Sequence, residues 1–162
     1  MKGVDDTDDP RDHLRLAPSH GLSLIHGERK AGIPMDSIGD EQTRPALTSI
    51  VVKVDGDRVV ATATLALNGY VLHGTAEGNR SDRTSHVASA TLDSISELLS
   101  GSASIENAMV VDVEGRQVAL TIVRVESEGI TDMLVGSAIV RGDHEDATAR
   151  SVLSALNRRL SR

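Results

Sequence analysis

The sequence predicts an α+β fold built from one unit written twice, (βββα)2, with helices packed on antiparallel sheets. Three observations carry this reading. First, Val51 to Thr62 aligns without a gap on Val110 to Thr121, valine on valine, with Gly56 on Gly115 and an acidic residue before each glycine. Second, Leu72-His73-Gly74-Thr75-Ala76 answers Leu134-Val135-Gly136-Ser137-Ala138. Third, each copy closes on apolar residues at helical spacing, from Ser85 to Leu99 and from Asp146 to Leu160. The predicted domain covers 47–162, with one repeat at about 47–101 and the other at about 105–162. Duplication implies a pseudo-two-fold axis, where equivalent loops of the two copies can converge.

The elements follow in order. Ile50-Val51-Val52-Lys53-Val54 is a β-branched run, and Asp55-Gly56-Asp57 is a hairpin turn signal. Val59 to Leu67 is a second strand, Asn68-Gly69 a second hairpin turn, and Tyr70 to Thr75 a third strand. The loop from Glu77 to Arg83 leads into a helix with Val87, Thr91, Leu92, Ile95, Leu98 and Leu99 inward, and Asp93, Ser94, Ser96 and Glu97 outward. Gly101 stops it. The second copy repeats the order: strand Ala108–Val113, turn at Glu114-Gly115-Arg116, strand Gln117–Val125, a longer turn from Glu126 to Thr131, and strand Met133–Val140. The loop Arg141-Gly142-Asp143-His144-Glu145 opens the last helix, with Ala149, Val152, Leu153, Leu156 and Leu160 inward. The first strand of each copy is apolar on both faces, which predicts that the outer sheet faces are covered by the other copy or by another chain.

Composition narrows the function classes. The chain has 162 residues, no cysteine and a formal charge of −7, which excludes disulfides and thiolate metal sites and offers no general attraction to nucleic acid or anionic membrane. Tyr70 is the sole Phe, Tyr or Trp residue, which removes the stacking platforms that single-stranded nucleic acid needs. An aliphatic core of this kind gains less per position than an aromatic one, so a homodimer is expected. All four prolines lie before Leu47, in a segment rich in Asp, Gly and His. That composition predicts a disordered acidic tail over 1–46, with a mildly apolar island from Leu14 to Ile25 as a candidate partner motif. The N-terminus carries no apolar signal core and no stretch has membrane-spanning length, which predicts a cytoplasmic protein.

Two local motifs carry a family resemblance. Ala76-Glu77-Gly78-Asn79, between a third strand and a helix, is similar to a Gly-Glu-Gly-Asn loop. Ser154-Ala155-Leu156-Asn157-Arg158 is similar to an Ala-Val/Leu-Asn-Arg helix ending. With the element order, these make residues Leu47 to Arg162 resemble the C-terminal regulatory domain of 2-isopropylmalate synthase, also a duplicated βββα domain, which binds the feedback inhibitor leucine. The chain departs from the family at Arg80-Ser81, where the family has Gly-Pro, and at Ala76, where it has glycine. The resemblance implies a freestanding relative of a regulatory domain.

The strand-to-helix loops are the candidate site. Helix N-termini present unpaired N–H groups and a partial positive charge. In the first copy Gly78, Asn79 and Arg80 can receive a carboxylate, with Asp82 and Arg83 completing the candidate loop; in the second the loop Arg141-Gly142-Asp143, followed by Glu145 and Asp146, is acidic apart from Arg141 and can instead hold an ammonium group. Together they suit a ligand with both charges, such as an amino acid. The plainer reading is that Ser81 or Asp82, and Asp143, cap the helices. None of the six histidines has metal-ligand spacing. Neither Gly-x-Ser-x-Gly, Gly-x-Gly-x-x-Gly nor a Gly-x-x-x-x-Gly-Lys-Ser/Thr loop occurs. The expected function is therefore a non-catalytic regulatory or metabolite-sensing module, without cofactor or metal. The alternative is a structural module that dimerises and docks a protein partner without a small ligand. Neither nucleic acid nor membrane is an expected partner.

Overall fold

Four two-residue hairpin turns set the backbone. The computed structural model describes residues 33–34 and 44–160. A two-residue strand β1 (Ile33–Pro34) precedes β2 (Ala46–Asp55), β3 (Arg58–Leu67) and β4 (Tyr70–Asn79). A 3-10 turn at Arg80–Asp82 enters α1 (Arg83–Ile95), and a second 3-10 turn, Ser96–Leu98, leaves it. The second repeat is β5 (Ser102–Val113), β6 (Arg116–Ser127), β7 (Ile130–Ile139) and α2 (His144–Leu160). All strand pairs are antiparallel, in the orders β1-β4-β3-β2 and β5-β6-β7. The duplicated βββα architecture is thus the one the sequence predicts.

Two-residue turns join the strands. Asn68 and Gly69 both take positive φ (49° and 77°), as a turn that follows the twist of its strands requires. Glu128-Gly129 does the same at 52° and 79°, so the longer turn expected over Glu126–Thr131 is instead continued strand around a tight turn. A glutamate at positive φ carries no turn signal, so the sequence does not mark where these strands end.

The gap-free alignment is out by one residue. The turn residues of the first hairpin are Gly56-Asp57, and those of its counterpart are Glu114-Gly115, so Gly56 corresponds to Glu114 rather than Gly115. Burial agrees: Val59, Ala61, Ala63 and Leu65 point inward on β3, and Ala119, Thr121, Val123 and Val125 on β6. A one-residue slip would exchange the two faces of a strand. Valine stands on both faces here, so the sequence did not resist the slip. The match of Gly74 with Gly136 holds.

The helices form a middle layer between the sheets. α1 packs on β3 and β4 and also against β5 of the other sheet; α2 packs on β6 and β7 and reaches β2. Both helices are therefore buried on more than one face. Ala88, Ala90 and Ser94 join Val87, Thr91, Leu92 and Ile95 in the interior, whereas Leu98 is exposed. The sequence reading had Ser94 outward and Leu98 inward. Ser94 is accommodated because its hydroxyl donates to the Thr91 carbonyl (2.6 Å). The main core joins both repeats: Leu65, Leu92, Ile95, Val123, Val152 and Leu156 lie in one cluster.

Two glycines set the helix-to-sheet distance. A Cβ on Gly74 would meet the Ala90 carbonyl and the Ser94 backbone, and one on Gly136 the Ser151 carbonyl and the Ala155 backbone. Backbone sits on backbone at corresponding points of the two repeats.

The expectation of covered outer faces is not met within one chain. Val51, Met109, Val113, Val135 and Ile139 are all exposed. The expected disordered tail falls almost wholly outside the described residues. The exceptions are Ile33–Pro34, which pairs with Val71 and Tyr70 of β4, and residues 44–46, of which Pro45 is buried and Ala46 already belongs to β2.

Candidate functional site

Both strand-to-helix loops lie at one end of the helix layer. β4 and β7 run antiparallel to their neighbours and deliver the chain to that end. There the Arg83 guanidinium meets the Glu145 carboxylate at 2.6 Å, α1 to α2. Arg83, Thr84 and Val87 on one side and His144, Glu145 and Thr148 on the other line a cleft of about 80 Å³. The predicted convergence of the two loops is thus present, through a pair that spacing alone could not have identified.

The remaining predicted residues divide. Asp143 Oδ1 accepts from the Asp146 amide (2.6 Å), so it is an N-cap, as the plainer reading had it. Asp82 precedes α1 but its side chain caps nothing, and Asn79 likewise makes no cap bond at the 3-10 turn. Arg80 is exposed, and its amide donates to the Asp57 carbonyl (2.8 Å), tying the loop to the first hairpin turn. Gly78 lies against the His86 imidazole, where a Cβ would collide with the ring. Gly142 has open space around its α-carbon. Arg141 lines a separate hollow of about 380 Å³ with Ala138, Ile139, Asp146 and Arg150. So Arg83 lines the inter-helix cleft and Arg141 the second hollow, while Gly78, Asn79, Arg80, Asp82, Gly142 and Asp143 line neither.

The electrostatics are mostly local pairings. Arg150 donates to Asp146 (2.6 Å), and this hydrogen bond, followed by the charge attraction, raises the guanidinium above its ordinary value. His144 Nε2 lies 3.0 Å from Gln117 Oε1. Two nitrogens of α1, Arg83 Nε and His86 Nε2, are buried without a hydrogen-bond partner. Sequence reasoning missed Thr84, Val87 and Thr148 as site residues, since they carry no motif and line the cleft only through helix placement. Among the described residues no group of three or more His, Asp or Glu could hold a metal ion, and no helix is long and apolar enough to cross a membrane.

The cap gives a clean test of local energetics. Asp143→Ala should lower stability by about 1 kcal/mol, as cap removal does, with the fold retained in circular dichroism. An unchanged melting temperature would mean the cap bond contributes nothing in solution.

Comparison with models of known protein families and with curated proteins found no match for this chain.

Proposed function

We propose that this chain is a non-catalytic regulatory module that binds a small zwitterionic metabolite, an amino acid in the simplest case, between its two helix N-termini. The observation that carries this reading is the Arg83–Glu145 pair across the repeat boundary. A cleft of about 80 Å³ is smaller than the roughly 300–1,000 Å³ usual for small-molecule sites. The ligand therefore opens it by taking the place of each partner. Its carboxylate binds Arg83 and its ammonium group binds Glu145. Opening costs little, because an exposed ion pair is worth about 0.2–1 kcal/mol. The Arg83 side chain is 43% exposed and that of Glu145 21%, so the pair lies at the upper end of that range. The unpartnered Arg83 Nε supports the same geometry, as a donor that the present pairing leaves unused. The resemblance to a leucine-binding regulatory domain favours an amino acid over a purely anionic metabolite.

The test is a thermal-shift screen of the whole chain against amino acids and acidic metabolites, followed by titration calorimetry. A ligand at 100 times its dissociation constant should add about 2.7 kcal/mol of stability. Arg83→Ala and Glu145→Gln should each weaken binding about tenfold or more with the fold intact. A ligand whose affinity neither substitution changes binds elsewhere. A second reading, a dimerising interaction module with no small ligand, is favoured by the exposed apolar residues of the second sheet, and it replaces the first if no metabolite shifts the melting temperature.

A further inference from the structure

The outer faces of the two sheets differ. Strand register sets what each face carries, since directly opposed residues share a face. On the first sheet the outer face runs through Lys53, Val60 and Glu77, then Val51, Thr62 and Thr75, then Ser49, Thr64 and His73. It is mixed and laced with polar contacts, including Arg58 to Glu77 at 2.6 Å. On the second sheet the same positions are Val111, Val118 and Ile139, then Met109, Leu120 and Ser137, then Asn107, Ile122 and Val135, so seven of the nine are apolar. Val135 is 67% exposed and Ile139 48%. No charged residue interrupts this centre; the charges stand at its two ends, Arg116 at one and Arg124 with Glu126 at the other.

We propose that the outer face of the second sheet is the interface between two copies of this chain, packed sheet on sheet across a two-fold axis that lies between the two faces, over the middle of β6 and perpendicular to it. Three arguments select a second copy. The face is large enough: nine residues of β6 at about 3.4 Å and three strands at about 4.8 Å give about 450 Å² in projection, of which the apolar centre over five residues is about 250 Å². Exposed apolar patches above a few hundred Å² mark interaction sites. Stable interfaces bury roughly 800 Å² of accessible surface per partner, which a corrugated face of this size and its polar rim can supply. The face is also self-complementary. A two-fold axis near Leu120 lays the Arg116 end of one copy over the opposite end of its mate. That end holds Arg124 between Glu106 (3.0 Å) and Glu126 (3.6 Å), a cluster with one net negative charge. The same contact then forms twice, as a two-fold interface demands. Finally, each chain carries a formal charge of −7, so copies repel except where the surface is neutral, and this face is neutral at its centre.

Sedimentation of the whole chain at micromolar concentration tests this. The expected species has twice the chain mass of 17.1 kDa. Val135→Lys and Arg116→Glu should each raise the dimer dissociation constant at least about tenfold with unchanged circular dichroism, because both side chains are exposed. Adding Glu126→Arg to Arg116→Glu should restore association, an outcome that a loss of folding would not produce. Thr62→Lys, on the outer face of the first sheet, should sediment as the unsubstituted chain. A monomer for the unsubstituted chain overturns the proposal. So does a dimer that Val135→Lys leaves intact, or one lost only through Thr62→Lys.

Discussion

Gly136→Ala should destabilise the chain by about 3 kcal/mol, the upper end of the range for overpacking, and lower the melting temperature by roughly 10 °C. The added methyl group would land on the Ser151 carbonyl and the Ala155 backbone of α2. Neither can rotate away as a side chain would, so the helix must lift from the sheet and the core beneath it loses contact. Gly74→Ala should behave alike, because its Cβ would meet the Ala90 carbonyl and Ser94 backbone of α1 at the corresponding point. Gly142→Ala is the control. Nothing lies within 4 Å of its added Cβ, and its effect should stay within about 0.5 kcal/mol. Thermal unfolding of the three variants decides the matter. Equal stability of Gly136→Ala and the unsubstituted chain would mean that α2 does not sit on backbone as described.

Leu156→Ala should cost about 3–4 kcal/mol, as buried leucine truncations do when the site cannot collapse. Leu156 is fully buried and shares a cluster with Leu65 of β3, Ile95 of α1 and Val123 of β6. Alanine is a good helix former, so the loss is one of packing rather than of helix propensity. The cluster spans both repeats, so urea should unfold the variant in one transition, with a lower midpoint and an unchanged slope. Two separate transitions would show that the repeats fold independently and that the helix layer does not join them.

The strands and their tight turns were legible because the chemistry that makes them is local. Asn68-Gly69 tolerates two positive φ angles in succession, and the β-branched runs on either side have few other uses. Glu128-Gly129 makes the same turn from a residue with no such preference, so the hairpin looked shorter than it is. The slip in the repeat alignment has a related cause. Valine recurs on both faces of β2 and β5, so similarity alone could not tell an inward valine from an outward one. Tertiary burial does, through the alternation on β3 and β6. The helix layer was half visible. A single stripe from Val87 to Ile95 predicted one covered face, but Ala88, Ala90 and Ser94 cover a second, and small residues do not announce burial from sequence. At the candidate site, the loops were placed by the duplication and the Asp143 cap by its position before α2. The Arg83–Glu145 pair was not visible, because it depends on how two helices distant in sequence meet.

A ligand held between the repeats should report itself in the amide chemical shifts of the whole chain, followed as an amino acid from the screen is added. The amides of Arg83 and Thr84 should move together with those of Glu145 and Asp146, at one common affinity, and Arg83→Ala should abolish both sets of shifts at the same ligand concentration. Shifts confined to one repeat, or to residues away from both helix starts, would contradict a site between the repeats.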